Sequence, residues 1–534
     1  MAKNVHMFIR GVLIVSFLVF CVFGLRAQLS SSYNLELSEK KKEFTLSFNV
    51  SHDEKIIGCV SQVGDFNRFK SDYGSKNEQE ICFIDSKLNI KTKYEFLRSS
   101  GCLGLKKSIK EFISCQFKSF GDNTFYIVHI LSRQNEEEIH AFRFNDGEYE
   151  PFNNEKGSLL FKINGDNPFH RPISQKSQFK LIILENKIVV TSLTNDIKKG
   201  ESPIFKVVVF DSDLSEELNY TQTVKLPPGN SRFSTPFVNA IGELYFVCRV
   251  FNREAKKAGD KEGIYKLNFY KLTPQGSQVI EMGNDKQDVE NMRIDEMSNG
   301  DVICIGFNEN DDNSILFSAK FGENENDFHE LTLSPERMKF PYNFKRGSKY
   351  SEEIPVMDHR FINSFSTKDG GIVFLSEEQL IKETPSAYFF YDQEIFITKL
   401  DKNGKLEWIG IIDKNQYSGE PLAPKSSFSM FHNYADDKLF LIFNDDKKNY
   451  DETGRVKEEI VQKNQLHKHD YLVVASINLT DGGIEQEAIH DNNTDKMDFI
   501  PSSSFSDIEN GYLYGYFKKG IIDPVGKIGR IKLD

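Results

Sequence analysis

No stretch of this 534-residue chain carries a G-x-S-x-G nucleophile turn, an H-E-x-x-H zinc helix, a P-loop, or a G-x-G-x-x-G after a strand. The local signatures of serine hydrolases, zinc peptidases, nucleotide hydrolases and dinucleotide enzymes are therefore missing. None of the seven cysteines is spaced C-x-x-C, which removes the usual structural zinc site. No Pro/Gly/Ser-rich linker divides the chain, and beyond residue 25 no apolar run approaches the roughly 20 residues that a membrane-spanning helix takes. Cations are scarce too. Lys and Arg number 67 against 79 acids, and binding to nucleic acid or an anionic membrane rests on clustered cations. Neither partner is expected, and no cofactor is implied.

The N-terminus is the one apolar exception. Lys3 and Arg10 precede residues 11–25, which are all apolar or small. That length fits a signal-peptide core of about 7–15 residues better than a spanning helix. The expectation is a signal peptide over 1–27, cut after Ala27, and a protein secreted or periplasmic with no membrane insertion afterwards. An uncleaved N-terminal anchor is the alternative. Loss of Lys3, Arg10 and Arg26 leaves 64 cations against 79 acids, a net charge of −15.

What the chain does have is a recurring turn. Asp369-Gly370 and Asn403-Gly404 each separate two apolar stretches within residues 360–411. Such dipeptides supply the positive φ that two-residue hairpins need, so four antiparallel strands are predicted here. Segments beginning near Gly242, Gly300, Asp437 and Gly511 match the first turn, and weaker copies lie near residues 55, 123 and 186. Two longer identities support the alignment. Arg232-Phe233 and Phe237 match Arg360-Phe361 and Phe365, while Lys271-Leu272 with Gly276 matches Lys399-Leu400 with Gly404. A repeat at fixed spacing is the mark of stacked supersecondary units.

The copies number eight, and the last ends early. Residues 528–533 overlay 395–400, and the chain then stops. A sheet short of its outer strand would expose unpaired backbone groups. Tyr33-Asn34-Leu35-Glu36-Leu37-Ser38 alternates apolar and polar, as a half-buried strand should. We therefore expect strand 33–38 to pair with strand 528–533 and close a ring. The pattern, with its Ile397-Thr398-Lys399-Leu400-Asp401-Lys402-Asn403-Gly404 hairpin, resembles secreted bacterial β-propeller repeat proteins. That resemblance implies an all-β propeller of eight blades, with seven as the alternative. Residues 28–534 would form a single domain. Aromatics at 13%, chiefly Phe and Tyr, suit large side chains wedged between blades.

Six cysteines follow the signal segment. Cys59 with Cys82, and Cys102 with Cys115, are disulfide candidates in an oxidising compartment; Cys248 and Cys304 fall within strands and read as buried thiols. The long connections, near 62–79, 251–263, 376–393 and 444–469, all join second to third strands and so share one end of the ring. Insertions gathered on one face of a repeat fold often mark its binding surface. At that end Arg232, Arg293, His359 and Arg360 cluster as candidate binding residues, since Arg grips carboxylate or sulfate bidentately; pairing with a neighbouring acid is the alternative. Tyr388 and Tyr391 add an aromatic run in the 376–393 loop. Asp491, Asn493 and Asp495 copy the first oxygen ligands of a calcium loop but lack its later Gly and Glu.

The sequence thus points to a monomeric binding or scaffold module for a protein or glycan ligand. Its rivals are a carbohydrate-active hydrolase or lyase with its site at the channel mouth, and a cell-envelope assembly component. No catalytic residue is singled out, and non-enzymatic binding is favoured.

Overall fold

The computed structural model describes strands and turns between Leu35 and Leu533. Residues 1–34, residue 534 and most longer connections, among them 63–77, 164–178, 258–264, 340–358, 420–426, 458–463 and 466–469, lie outside the described residues.

Eight sheets follow one another along the described chain, antiparallel but for two short parallel pairs in the sixth. Sheets 4 to 7 carry the argument below. Sheet 4 holds Arg232–Phe233 and Phe237–Val238, then Leu244–Phe251, Tyr265–Thr273 and Gly276–Asn284. Sheet 5 holds Gln287–Glu296, Val302–Glu309, Ser314–Phe321 and Asn326–Leu331. Sheet 6 is built on His359–Ser366, Ile372–Thr384, Ala387–Leu400 and Leu406–Ile412. Sheet 7 has Ser429–Asn433, Lys438–Asp446, Asp470–Asn478 and Ile484–Asp491. Sheet 8 has Asp498–Asp507, Tyr512–Lys519 and Val525–Lys532, and its fourth strand is Leu35–Leu37. There Leu35 stands opposite Ile531 and Leu37 opposite Gly529. Of the strand expected at 33–38, these three residues are described.

First strands of neighbouring sheets run side by side. Thr45–Val50 of sheet 1 lies against Ile109–Phe120 of sheet 2 and against Asp498–Asp507 of sheet 8, and Gln287–Glu296 lies against His359–Ser366. Sheets radiating from such inner strands make a β-propeller. The second strands show why the sequence builds it. Successive strand residues point to opposite faces, so a strand buried on both faces must be apolar throughout. In Leu439-Phe440-Leu441-Ile442-Phe443 the odd residues pack with sheet 6 and the even ones with sheet 8. Val373 and Leu375 face sheet 7, while Ile372 and Phe374 face sheet 5.

Aromatic side chains fill these layers. Between sheet 4 and sheet 3, whose strands are Phe179–Ile183, Ile188–Thr194, Ile204–Phe210 and Glu216–Thr223, Phe246 stacks on Phe205 at 4.5 Å and on Tyr270 at 5.0 Å. Cys248 and Cys304 are buried in the layers of sheets 4 and 5, outside any disulfide.

The turns differ from the two-residue hairpins expected. Gly370 N–H donates to the Thr367 carbonyl and Thr367 N–H to that of Gly371, which encloses three residues, Lys368, Asp369 and Gly370. The same pair of bonds recurs at 239–243, 297–301 and 401–405. This is a type I turn followed by one left-handed residue. In these turns that residue takes positive φ, 85° at Gly242, 84° at Gly300, 85° at Gly370 and 79° at Gly404, and Gly511 and Asp437 are also left-handed, at 67° and 53°. At Gly242 a side chain would also meet Leu218 of the preceding sheet, 2.4 Å from an ideal Cβ.

Two predicted loops are also corrected. Residues 376–393 are no loose loop, because Ile372–Thr384 and Ala387–Leu400 stay paired up to Thr384 opposite Ala387. Gln416–Gly419 pairs on the far side of that hairpin, with Tyr417 opposite Tyr391. Within 444–469, Lys447–Asn449 forms a 3-10 turn, and Tyr450 and Val456 are buried in the layer between sheets 6 and 7. Backbone pairing keeps the first segment in the sheet, and the buried Tyr450 and Val456 draw the second back onto it.

Candidate functional site

The two ends of the propeller are built differently. At the tight-turn end, lysines of third strands reach acids of the first-to-second-strand turns. Lys271 Nζ lies 2.8 Å from Glu243, Lys320 Nζ 3.2 Å from Asp301, and Lys399 Nζ contacts Asp369. Lys399 also donates to Glu407 and to the Leu479 carbonyl of the next sheet, both at 3.0 Å. Burial opposes its charge, yet the Asp369 and Glu407 carboxylates hold its pKa above the usual lysine range. Each clamps a turn to the third strand of its own sheet, and Lys399 also reaches the next blade.

At the opposite end, where second strands pass to third and fourth strands cross to the next sheet, both members of an ion pair are buried. Glu377 and Lys414 form an ion pair whose side chains are 1% and 0% exposed. Ser427 donates to the other Glu377 oxygen at 2.7 Å. Lys414 also donates to Gln416 Oε1 at 3.0 Å, and that oxygen accepts the Ser427 backbone N–H at 2.9 Å. Gln416 in turn donates to the Asn444 carbonyl of sheet 7. The crossover leaving sheet 6 is thereby pinned to both sheets. Burial raises the Glu377 pKa, against the opposing pull of Lys414, and the nearby Asp392 charge adds to the rise.

In the same layer, on the second strand of sheet 7, Asp445 is 2% exposed. It accepts from the Asp446 backbone N–H at 2.7 Å, from Asn449 Nδ2 at 3.1 Å and from the Tyr450 hydroxyl at 2.8 Å. Asn444 donates to the Phe499 carbonyl at 2.8 Å and accepts from Asn492 at 3.0 Å, tying sheet 7 to sheet 8. The result is a polar plug under the extended hairpin and the 447–457 segment.

The sequence-predicted residues scatter around this plug. Arg360 is exposed and stands opposite Glu377 in the strand register. Arg293 is engaged within the protein: its Nε donates to Ser364 at 2.9 Å, and its guanidinium lies 3.9 Å from Asp295. Arg232 pairs with Arg249 and His359 with Glu378 along the backbone; their side chains lie outside the described residues. Tyr388 stands opposite Glu383, and its side chain is also outside them. Tyr391 is half-buried. Arg360 thus stands beside the plug in register, and so does Tyr391, next to the Asp392 that pairs with Gln416.

The other sequence-predicted positions are local in character. Asp491 Oδ1 accepts from both the backbone and the side-chain nitrogen of Asn493, each at 2.9 Å, over a single helical turn Asn492–Asp495. That is a capping arrangement. The Asp495 side chain lies outside the described residues, and among the described ones no group of three His, Cys, Asp or Glu could hold a metal ion. In sheet 1, Cys59 stands opposite Ile81 and Cys82 opposite Gly58, while Cys102 pairs with Leu97 and Cys115 with Val128. The four sulfurs lie outside the described residues.

Glu377, Lys414, Gln416, Asp445 and Tyr450 escaped sequence reasoning. A charge within a polar stretch ordinarily marks solvated surface. The available signal was Tyr450 and Val456, apolar anchors inside an otherwise charged segment.

Compared with known families and with characterised proteins, the chain matches no family model and no curated protein. Among solved structures, it is similar to the β-propeller domain of the trilobed protease from Pyrococcus furiosus, at 12% identity over 84% of this chain and 98% of that one, TM-score 0.34. It is similar to the WD40 domain of SCAP from fission yeast, at 8% identity over 95% and 97%, TM-score 0.35. An α-L-arabinofuranosidase from Fusarium graminearum matches at 11% identity over 64% and 91%, TM-score 0.30. At such distances the fold is read from this chain's own strand pairing, and none of these activities transfers.

Proposed function

We propose that this chain is an exported binding or scaffold module that holds a protein or glycan ligand at the end of the propeller carrying the extended hairpin and the folded 447–457 segment. The observation that supports the reading is the plug of Glu377, Lys414, Gln416 and Asp445 beneath those segments. Burying charge is costly unless it is paired, and a neutral loop insertion has no need of such anchoring. The opposite end has tight turns clamped by lysines, which leave little surface to vary.

A screen of the mature protein against immobilised glycans and purified envelope proteins tests the proposal. A variant with residues 380–391 replaced by Asn-Gly should lose the hits, and Tyr434→Ala, at an exposed tight-turn side chain, should keep them. Hits that survive the shortening, or vanish with Tyr434→Ala, would place the working face elsewhere. Turnover of a glycan hit would favour a hydrolase or lyase instead. Recovery of the exported chain without residues 1–27 tests the signal segment.

A further inference from the structure

We propose that Asp445, Tyr450 and Gln486 form a reversible proton-binding site that latches residues 447–457 onto sheet 7. The groups holding the Asp445 carboxylate are neutral: a backbone N–H, the Asn449 carboxamide and the Tyr450 hydroxyl. Gln486 Nε2 donates to the Tyr450 oxygen at 2.6 Å, while its own Oε1 is buried without a partner. Such a chain has two polarities. With Asp445 ionised, hydrogen bonds run from Gln486 to Tyr450 to Asp445. With a proton gained from solvent at Asp445 Oδ2, the carboxyl donates to the Tyr450 oxygen. The Tyr450 hydroxyl then donates to Gln486 Oε1 once the carboxamide turns over, a rotation that exchanges two groups of nearly equal size. The stranded Oε1 is what the second polarity uses.

The charged surroundings do not neutralise the site. Asp446 is adjacent on the same strand, and Asp470 and Tyr471 are their register partners on the third strand. From sheet 6, Lys414 is committed to Glu377. On the covering segment, Arg455 is exposed and pairs with Glu487 of the fourth strand through the backbone, Lys457 donates to the Lys448 carbonyl, and Lys447 and Lys448 are exposed. Burial, with the Asp446 charge adding to it, pushes Asp445 up to about 7 against the pull of its hydrogen bonds.

Opening of the 447–457 segment exposes Asp445 to water and restores its ordinary acidity. A group whose pKa is higher in the closed state favours closure when protonated, so closure weakens as pH rises from about 4 to 7 and levels off above. Opening should become roughly 30-fold more populated between pH 5.5 and pH 8, from the two pKa values and linkage. Backbone tethers independent of Asp445, such as Ala488 N–H to the Gly454 carbonyl at 2.7 Å, keep the segment in place otherwise.

Amide hydrogen exchange in 447–457 of the full mature chain, corrected for intrinsic rates, reads this directly. The wild type should lose about 30-fold protection over that range, and Asp445→Asn, which mimics the protonated form, should show none of the step. Tyr450→Phe removes a donor to the carboxylate and should move the step to higher pH. A flat wild-type profile, a step retained in Asp445→Asn, or an unmoved midpoint in Tyr450→Phe would each overturn the proposal.

Discussion

Replacing Lys414 with methionine should cost about 3–5 kcal/mol, the usual penalty for removing one partner of a buried ion pair. Both side chains of the pair are essentially inaccessible, so Glu377 is left with a desolvated charge and, among the described residues, the Ser427 hydroxyl for support. The loss should be greatest at neutral pH and above. Burial already raises the Glu377 pKa, and without Lys414 it rises further, so acid neutralises the stranded group and recovers part of the loss. The double variant Glu377→Gln/Lys414→Met removes both charges and should recover much of the stability at pH 7. Urea midpoints of wild type, both single variants and the double give the coupling energy. A coupling near zero would mean that water reaches the plug.

Phe246→Ala should be as severe, about 3–5 kcal/mol, by the cavity and transfer terms that govern buried aromatics. Phe246 is 1% exposed and stacked between Phe205 and Tyr270, so truncation removes contacts on both faces of the ring. The layer it occupies joins sheets 3 and 4. Tyr434→Ala, at a ring that is 52% exposed, should stay within about 0.5 kcal/mol. Equal losses at the two sites would contradict the placement of the core between blades.

Turns were the most legible part of this sequence, because positive φ restricts residue choice and leaves Gly or Asp behind at 242, 300, 370, 437 and 511. Alternation over Leu35–Leu37 carried the outer strand of sheet 8 for the same reason, a local pattern with a local cause. The hairpin through Pro385 was not legible. Gln379, Lys382 and Glu383 interrupt any alternation there, and strand pairing decides the conformation. Turn length was misjudged because Asp-Gly serves both two-residue and three-residue hairpins. The polar plug was invisible for a different reason. Glu377, Lys414 and Asp445 are far apart in sequence, and each alone reads as surface; only the stacking of sheets 6 and 7 buries them. Arg293 was misleading in the converse way, since its partners Ser364 and Asp295 are fixed by the meeting of sheets 5 and 6.

The end assigned to ligand binding depends on the sheets standing in one ring, with the N-terminal strand completing the sheet that the C-terminus begins. Glu36 and Arg530 are register partners across that junction, and paired strand residues lie within the Cα separation a disulfide spans, about 4.4–6.8 Å. Glu36→Cys/Arg530→Cys under oxidising conditions should form a crosslink between these two positions, seen by peptide mapping, and should raise the unfolding midpoint relative to the reduced form. Absence of that crosslink in folded protein, or a crosslinked form less stable than the reduced one, would contradict the ring.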